Sequence, residues 1–309
     1  MSNPIDLVNK RKGSEWPSQY TYDYNQSKEI LILELQTNKK GLVKGIDAWA
    51  IAVKSFLNEM NAEVKEIRID LQLDKKMKPD VELLRRRVSY LSLNNDLSIS
   101  LHHNGKVLTN DALVDILSRG EDEVVRTKFK KRDSKDKSTG LEKILQNYLF
   151  DTGDVRTNER LAIFGKDFID LKKKEFGIER EFPTGVFNTK ISRISRILPT
   201  EFIDFVTVNK YNQLAIIELK INDPNLQVIS QSLNYFLFFT SYFDTLKPAL
   251  EKRLNIRLTE RRFKGYIVTN ILHPKFNSIF RYYQSRKTEF PFEIVPTILG
   301  YYLDSKDES

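Results

Sequence analysis

Residues 199–235 read PTEFIDFVTVNKYNQLAIIELKINDPNLQVISQSLNY, in which two apolar runs, EFIDFVTV and LAIIELKI, flank the polar turn NKYNQ. β-Branched and aromatic residues on both sides of a short polar turn are the signature of a β-hairpin. Strands apolar on both faces belong to a sheet covered on both sides. Yet the first run carries Asp204, and the second carries Glu218 and Lys220. Successive side chains on a strand point to opposite faces, so Glu218 and Lys220 share a face with Ile216. The hairpin can bring Asp204 beside them. Two carboxylates and an ammonium in apolar strands are costly to bury unless they pair with one another or bind metal ions. The stretch reads as a site built on a sheet.

The segment NLQVISQSLNYFLFF follows at once. In a helix, residues four apart lie on one face, so Gln231 and Tyr235 stack together and Gln227 extends the row.

Asp204, the triplet Glu218-Leu219-Lys220 and the Gln231/Tyr235 pair together resemble the PD-(D/E)xK nuclease superfamily, the restriction-endonuclease-like fold. Asp204 precedes Glu218 by 14 residues, a length that suits two paired strands and their turn. The resemblance implies a metal site for Mg²⁺ or Mn²⁺ made by Asp204, Glu218 and the main-chain carbonyl of Leu219. It also implies that Lys220 positions or activates the attacking water, with Gln231 and Tyr235 supporting the substrate or the lysine. Hard divalent cations take oxygen ligands, and a bound cation lowers the pKa of its water. A lysine on a rigid strand can donate to that water or to a phosphate. The order of elements is most similar to the mismatch-endonuclease-like and Shedu-type antiphage branches. Pro199 lies five residues before Asp204, so the literal "PD" is absent. The same residues also have a purely structural reading. Asp204 would then pair with Lys220, Glu218 would face solvent at a sheet edge, Tyr235 would join Phe236, Phe238 and Phe239 in a core, and Gln231 would be the wet side of its helix.

At 309 residues the chain is long enough for two domains. Its 40% hydrophobic and 11% aromatic content supports a packed core rather than disorder. There is no cysteine, which rules out disulfides and thiolate metal sites. His102, His103 and His273 lack the spacing of a zinc site. No apolar run approaches the roughly 20 residues of a membrane span, and the start has no signal-peptide core, so a cytoplasmic protein is expected. A formal charge of +8 is compatible with a polyanionic partner.

Along the chain, residues 1–27 read as an arm, and residues 28–127 as an accessory domain for sensing, specificity or oligomerisation. In it, residues 28–36, 62–73 and 97–102 read as strands; 47–60 (where Asp47 could be the N-cap) and 109–117 read as helices, and 79–90 as a basic helix or turn. Residues 128–139 form a charged linker. Residues 140–309 carry the site. They open with an amphipathic helix over 140–150, whose Thr139 and Glu142 have capping-box spacing; the resemblance offers Glu142 a second role, as an accessory acid. An amphipathic helix is expected within 159–178, a strand over 178–187, a strand over 263–269, a helix over 276–283 and a last strand or pair over 292–302. Lys190, Arg193 and Arg196 recur every three residues before the Asp204 strand, where they could grip phosphates or be ordinary surface charge. The expected class is α/β, with a C-terminal restriction-endonuclease-like core (a mixed sheet flanked by helices) and a smaller N-terminal α/β or α+β domain. The activity implied by the resemblance is a metal-dependent endonuclease acting on DNA, in antiphage defence or restriction, as a homo-oligomer. The competing reading is a catalytically silent nucleic-acid-binding or regulatory protein with the same fold.

Overall fold

The computed structural model describes residues 3–35, 43–108, 118–120, 122–126, 140–150, 160–169, 177–258, 261–284 and 292–300. The helix expected over 109–117, the linker over 128–139 and the Thr139 cap lie outside the described residues.

The chain is mixed α/β. A first sheet has the order β1-β2-β3-β4-β5, from β1 (Thr21–Asn25), β2 (Ile30–Leu35), β3 (Glu66–Leu71), β4 (Ser98–His103) and β5 (Lys106–Val107). Its three middle strands are parallel and its two edges antiparallel. Strands β2 and β3 bury every second residue; the β3 sequence EIRIDL alternates to match, whereas β2, ILILEL, is apolar on both faces but for Glu34. Helices α2 (Ile46–Glu59) and α3 (Lys78–Leu91) make the crossovers. Residues 3–25, expected as an arm, instead form α1 (Pro4–Lys10) and β1. In β1 only Tyr22 and Tyr24 turn inward, joining the core with Trp16 and Tyr20. The aromatics spaced through an otherwise polar segment are its anchors.

A second sheet has the order β13-β12-β11-β10-β7, from β7 (Glu179–Pro183), β10 (Phe202–Val208), β11 (Leu214–Lys220), β12 (Phe263–Thr269) and β13 (Phe292–Ile298). The hairpin expected at NKYNQ is present, with Val208 opposite Leu214. From β11 to β13 the strands run parallel. A small sheet, β6-β8-β9, stands beside it, from β6 (Glu123–Val125), β8 (Val186–Asn188) and β9 (Arg196–Leu198). The single strand expected over 178–187 is thus two, split between sheets at Pro183-Thr184-Gly185, where proline ends the ladder. Within 159–178 the described part holds two short 3₁₀ turns broken at Gly165, whose φ of 107° a helix cannot continue.

One face of the second sheet is covered by α4 (Leu141–Phe150) and the 3₁₀ turns, through Leu149, Leu161, Phe164 and Phe168. The other is covered by the 28-residue helix α5 (Gln227–Leu254). This cover on both faces explains strands without polar alternation. Phe236 of α5 lies over Gly265 of β12, where an added Cβ would come within 2.1 Å of its ring, and stacks on Phe292 at 4.6 Å. Helix α5 also packs on α2 and α3, so one apolar core runs from Ile5 to Ile294. A short helix, α6 (Phe276–Phe280), also contacts α2. Among the described residues no helix is long and apolar enough to cross a membrane.

A buried polar knot ties these parts together. Asp47 lies in the first turn of α2 rather than at its N-cap, which is Gly45, and it is fully buried. Its Oδ1 accepts from Arg87 Nε at 3.1 Å and Nη2 at 2.9 Å. Its Oδ2 accepts from Ser230 Oγ at 3.0 Å and Tyr283 OH at 2.7 Å. Arg87 further donates to Asn234 Oδ1 at 2.9 Å, and Asn234 Nδ2 to Glu201 Oε2 at 3.0 Å. Removing one partner of such a buried pair strands the other charge, at a cost of about 3–5 kcal/mol. Arg87→Met should therefore lower stability by about that amount. Because the core is shared, tryptophan fluorescence (Trp16 and Trp49, both in the N-terminal half) and far-UV circular dichroism should report one coincident urea transition. Two separate transitions would contradict the shared core.

Candidate active site at the end of the second sheet

Strand β10 starts where its antiparallel neighbour β11 ends, so the register from Val208↔Leu214 to Phe205↔Ile217 leads on to Asp204 facing Glu218. Both are inward, at 9% and 3% exposure. Lys220, two residues after Glu218 on the same face, donates from Nζ to Glu218 Oε1 and to the Leu219 carbonyl, each at 2.9 Å. The structural pairing considered from the sequence is thus replaced by another. Lys220 pairs with Glu218, which is buried rather than solvent-facing.

Asp204 is held from two sides. Its Oδ2 accepts from the Leu219 amide at 2.7 Å, and its Oδ1 from Gln146 Nε2 at 2.6 Å. Gln146 comes from α4, four residues after Glu142 and so on the same helix face. Glu142 Oε2 lies 3.9 Å from Lys220 Nζ. Two more contacts dock α4, from Lys143 to Glu181 at 3.0 Å and from Arg180 to Gln146 Oε1 at 3.2 Å. Glu181 has a φ of 52° within β7, at the position beside Asp204 where the β7–β10 ladder skips a pair. A left-handed non-glycine residue in a strand is a local strain held by its surroundings.

Gln231 and Tyr235 meet as the four-residue spacing requires, with Gln231 Nε2 donating to Tyr235 OH at 2.5 Å. Tyr235 is fully buried and donates to the Phe202 carbonyl at 3.1 Å. It therefore holds the start of β10, two residues from Asp204. Lys190 and Arg193 are exposed on the β8–β9 turn, and Arg196 lies over the Phe187 ring at 5.9 Å. None of the three makes a hydrogen bond or ion pair with Asp204, Glu218 or Lys220.

Gln146 and Glu201 went unread in the sequence. A neutral glutamine carries no charge signal, although its spacing from Glu142 was a usable one. Glu201 lies in the opening stretch itself, is buried, and pairs with Lys44 at 2.8 Å.

Three carboxylates surround one ammonium. Burial, then the neighbouring Glu218 charge, pushes the Asp204 carboxyl well above its ordinary range. Burial also raises Glu218, against the pull of Lys220. For Lys220, burial alone would favour the neutral amine, but Glu218, Asp204 and Glu142 together outweigh it and hold the ammonium. Glu218 Oε2 is buried with no hydrogen-bond partner. An orphaned carboxylate oxygen beside a second carboxylate and a carbonyl is a hard-oxygen donor set of the kind Mg²⁺ or Mn²⁺ takes. Lys220 spans Glu218 and the Leu219 carbonyl, so a cation there requires the ammonium to move. Among the described residues no group of three or more His, Cys, Asp or Glu side chains is placed to hold a metal by itself.

With Asp204 and Glu218 raised, the folded protein holds protons that the unfolded chain releases. Their contribution to stability is full below the ordinary carboxylate pKa, about 4, and is lost as pH rises through the raised values. In EDTA the wild-type melting temperature should fall over that window. Glu218→Gln keeps an oxygen for Lys220 and removes a buried charge, so it should be the more stable protein at neutral pH. A variant that melts below wild type at neutral pH would count against this charge balance.

No protein-family model matches the chain, and no curated protein matches it, so the reading of this site rests on its own geometry.

Proposed function

We propose that the chain is a divalent-metal-dependent nuclease with a restriction-endonuclease-like core, hydrolysing phosphodiester bonds in DNA. The observation that carries the reading is the convergence of Asp204, Glu218 and Lys220 at the end of two paired strands, with one Glu218 oxygen buried and unpartnered. The sheet order also supports it, since an antiparallel hairpin is extended by parallel strands whose crossover is a buried helix.

Asp204, Glu218 and the Leu219 carbonyl would hold the cation. When bound it would supply a water of lowered pKa and neutralise charge on the phosphate. The chain's own residues do the rest. Lys220, held as an ammonium, is a donor and orients water or a phosphate oxygen; in this state it cannot act as a base. Gln146 and the Leu219 amide fix the Asp204 carboxylate. Tyr235 fixes the backbone of β10, and Gln231 fixes Tyr235. Glu142, partly exposed beside Lys220, is the accessory acid.

A second reading, a nucleic-acid-binding protein without catalysis, is favoured by one observation. Both Asp204 oxygens and the Leu219 carbonyl already have protein partners. The two readings separate on plasmid, linear and single-stranded DNA incubated with Mg²⁺, Mn²⁺ or EDTA. The nuclease reading expects cleavage that requires metal and falls at least about 100-fold in Lys220→Ala, as loss of a group acting on the reacting atoms does. DNA bound but left uncut under all conditions would favour the silent protein. Cleavage equal in wild type and variant would remove the activity from this site.

A further inference from the structure

Ile194 is 99% exposed, while the next most exposed large apolar residue among those described is Tyr211, at 58%. Ile194 sits at the turn between β8 and β9, in the run Lys190-Ile191-Ser192-Arg193-Ile194-Ser195-Arg196. Ile191 beside it is 50% exposed. Isolated surface isoleucines need no explanation. This one differs in its setting.

The turn is tied internally. Ser192 Oγ and Ser195 Oγ are 2.7 Å apart, and the Ser195 amide donates to Ser192 Oγ at 3.2 Å. Ser195 Oγ also donates to the Lys190 carbonyl, and the Asn188 amide to the Ser195 carbonyl at 2.7 Å. The Thr189 amide donates to the Asp122 carbonyl at 2.8 Å, anchoring the turn beside β6. An apolar tip is therefore presented in a formed shape, which reduces the ordering cost of inserting it into a partner.

Within the turn's own segment the charge has one sign, while Asp122 and Glu123 lie alongside it at β6. Residues 182–200 contain Lys190, Arg193 and Arg196 and no aspartate or glutamate. The turn also leaves the second sheet at the carboxylate end, because the Thr184 amide donates to the Glu201 carbonyl at 3.0 Å and Phe202 pairs with Pro183. Ile194 lies 10 residues before Asp204. The chain between them spans at most roughly 35 Å, about ten nucleotide steps along a strand.

We infer that the β8–β9 turn is a wedge for duplex DNA, in which Lys190, Arg193 and Arg196 take backbone phosphates and Ile194 enters the groove against the base stack. This rests on the nuclease reading and extends it to duplex DNA at steps that unstack readily. Apolar residues flanked by cations are how proteins pry base steps apart, and pyrimidine–purine steps yield most easily.

The test uses full-length Lys220→Ala protein, so that binding is read without cleavage, and duplexes carrying 2-aminopurine at a TA step. Binding should raise the probe's fluorescence several-fold. Adding Ile194→Ser should abolish that rise while reducing affinity less than 10-fold; the side chain is outside the core, so the fold is kept. Lys190→Ala with Arg193→Ala should instead weaken binding to all duplexes and flatten its salt dependence. An Ile194→Ser protein that binds and unstacks DNA like its parent overturns the wedge and leaves the nuclease reading standing. No binding to any nucleic acid by either protein overturns both. Loss of binding to anionic phospholipid vesicles, with DNA binding unchanged, would assign the turn to a membrane surface and also overturn the wedge.

Discussion

The buried Asp47–Arg87 pair is the constraint on which the rest of the structure depends. A carboxylate at 0% exposure and a guanidinium at 1% survive together because each carboxylate oxygen and each guanidinium nitrogen has a hydrogen-bond partner. Those partners come from distant parts of the chain, namely Val43 and Asp47 around the start of α2, Arg87 on α3, Ser230 and Asn234 on α5, and Tyr283 after α6. The pair therefore fixes how the first sheet's helices lie on α5, and α5 in turn covers the second sheet. Asn234 carries the chain of contacts on to Glu201, three residues before Asp204. The N-terminal half and the half that carries the candidate site are thus joined by one hydrogen-bond network.

The two polar clusters differ in how they are satisfied. Around Asp47, each carboxylate oxygen receives donors and the charges balance, so the arrangement is a fastening. Around Glu218, three carboxylates share one lysine, one oxygen has no partner, and burial raises both inner acids. A sequence locally at odds with its own fold is expected where function has been placed. That contrast, more than the motif, is why the second cluster is the candidate site.

Much of this was legible in residues 199–235. Apolar runs around NKYNQ specified a hairpin, charges inside them pointed to the candidate site, and the Gln231–Tyr235 spacing put both on one helix face. What was not legible depends on partners far away in sequence. Tyr22 and Tyr24 looked like decoration on a polar arm until β2 supplied a strand to pair with. Asp47 at the start of an apolar run had the look of a cap, and only Arg87 on another helix makes it a buried ion-pair member. Gln146 has no charge to draw attention, and its role exists only because α4 docks against β10. The run over 178–187 has strand composition throughout, and its division between two sheets follows from the proline and glycine in its middle.

In the nuclease we propose, Asp204, Glu218 and the Leu219 carbonyl form a cation site now spanned by Lys220. A crystal grown or soaked with Mn²⁺ and measured for anomalous scattering tests this. A peak is expected bonded to Asp204, to the presently unpartnered Glu218 oxygen and to the Leu219 carbonyl, with Lys220 Nζ withdrawn from that carbonyl. Crystals saturated with Mn²⁺ that show no peak there, with Lys220 still spanning Glu218 and Leu219, would contradict it.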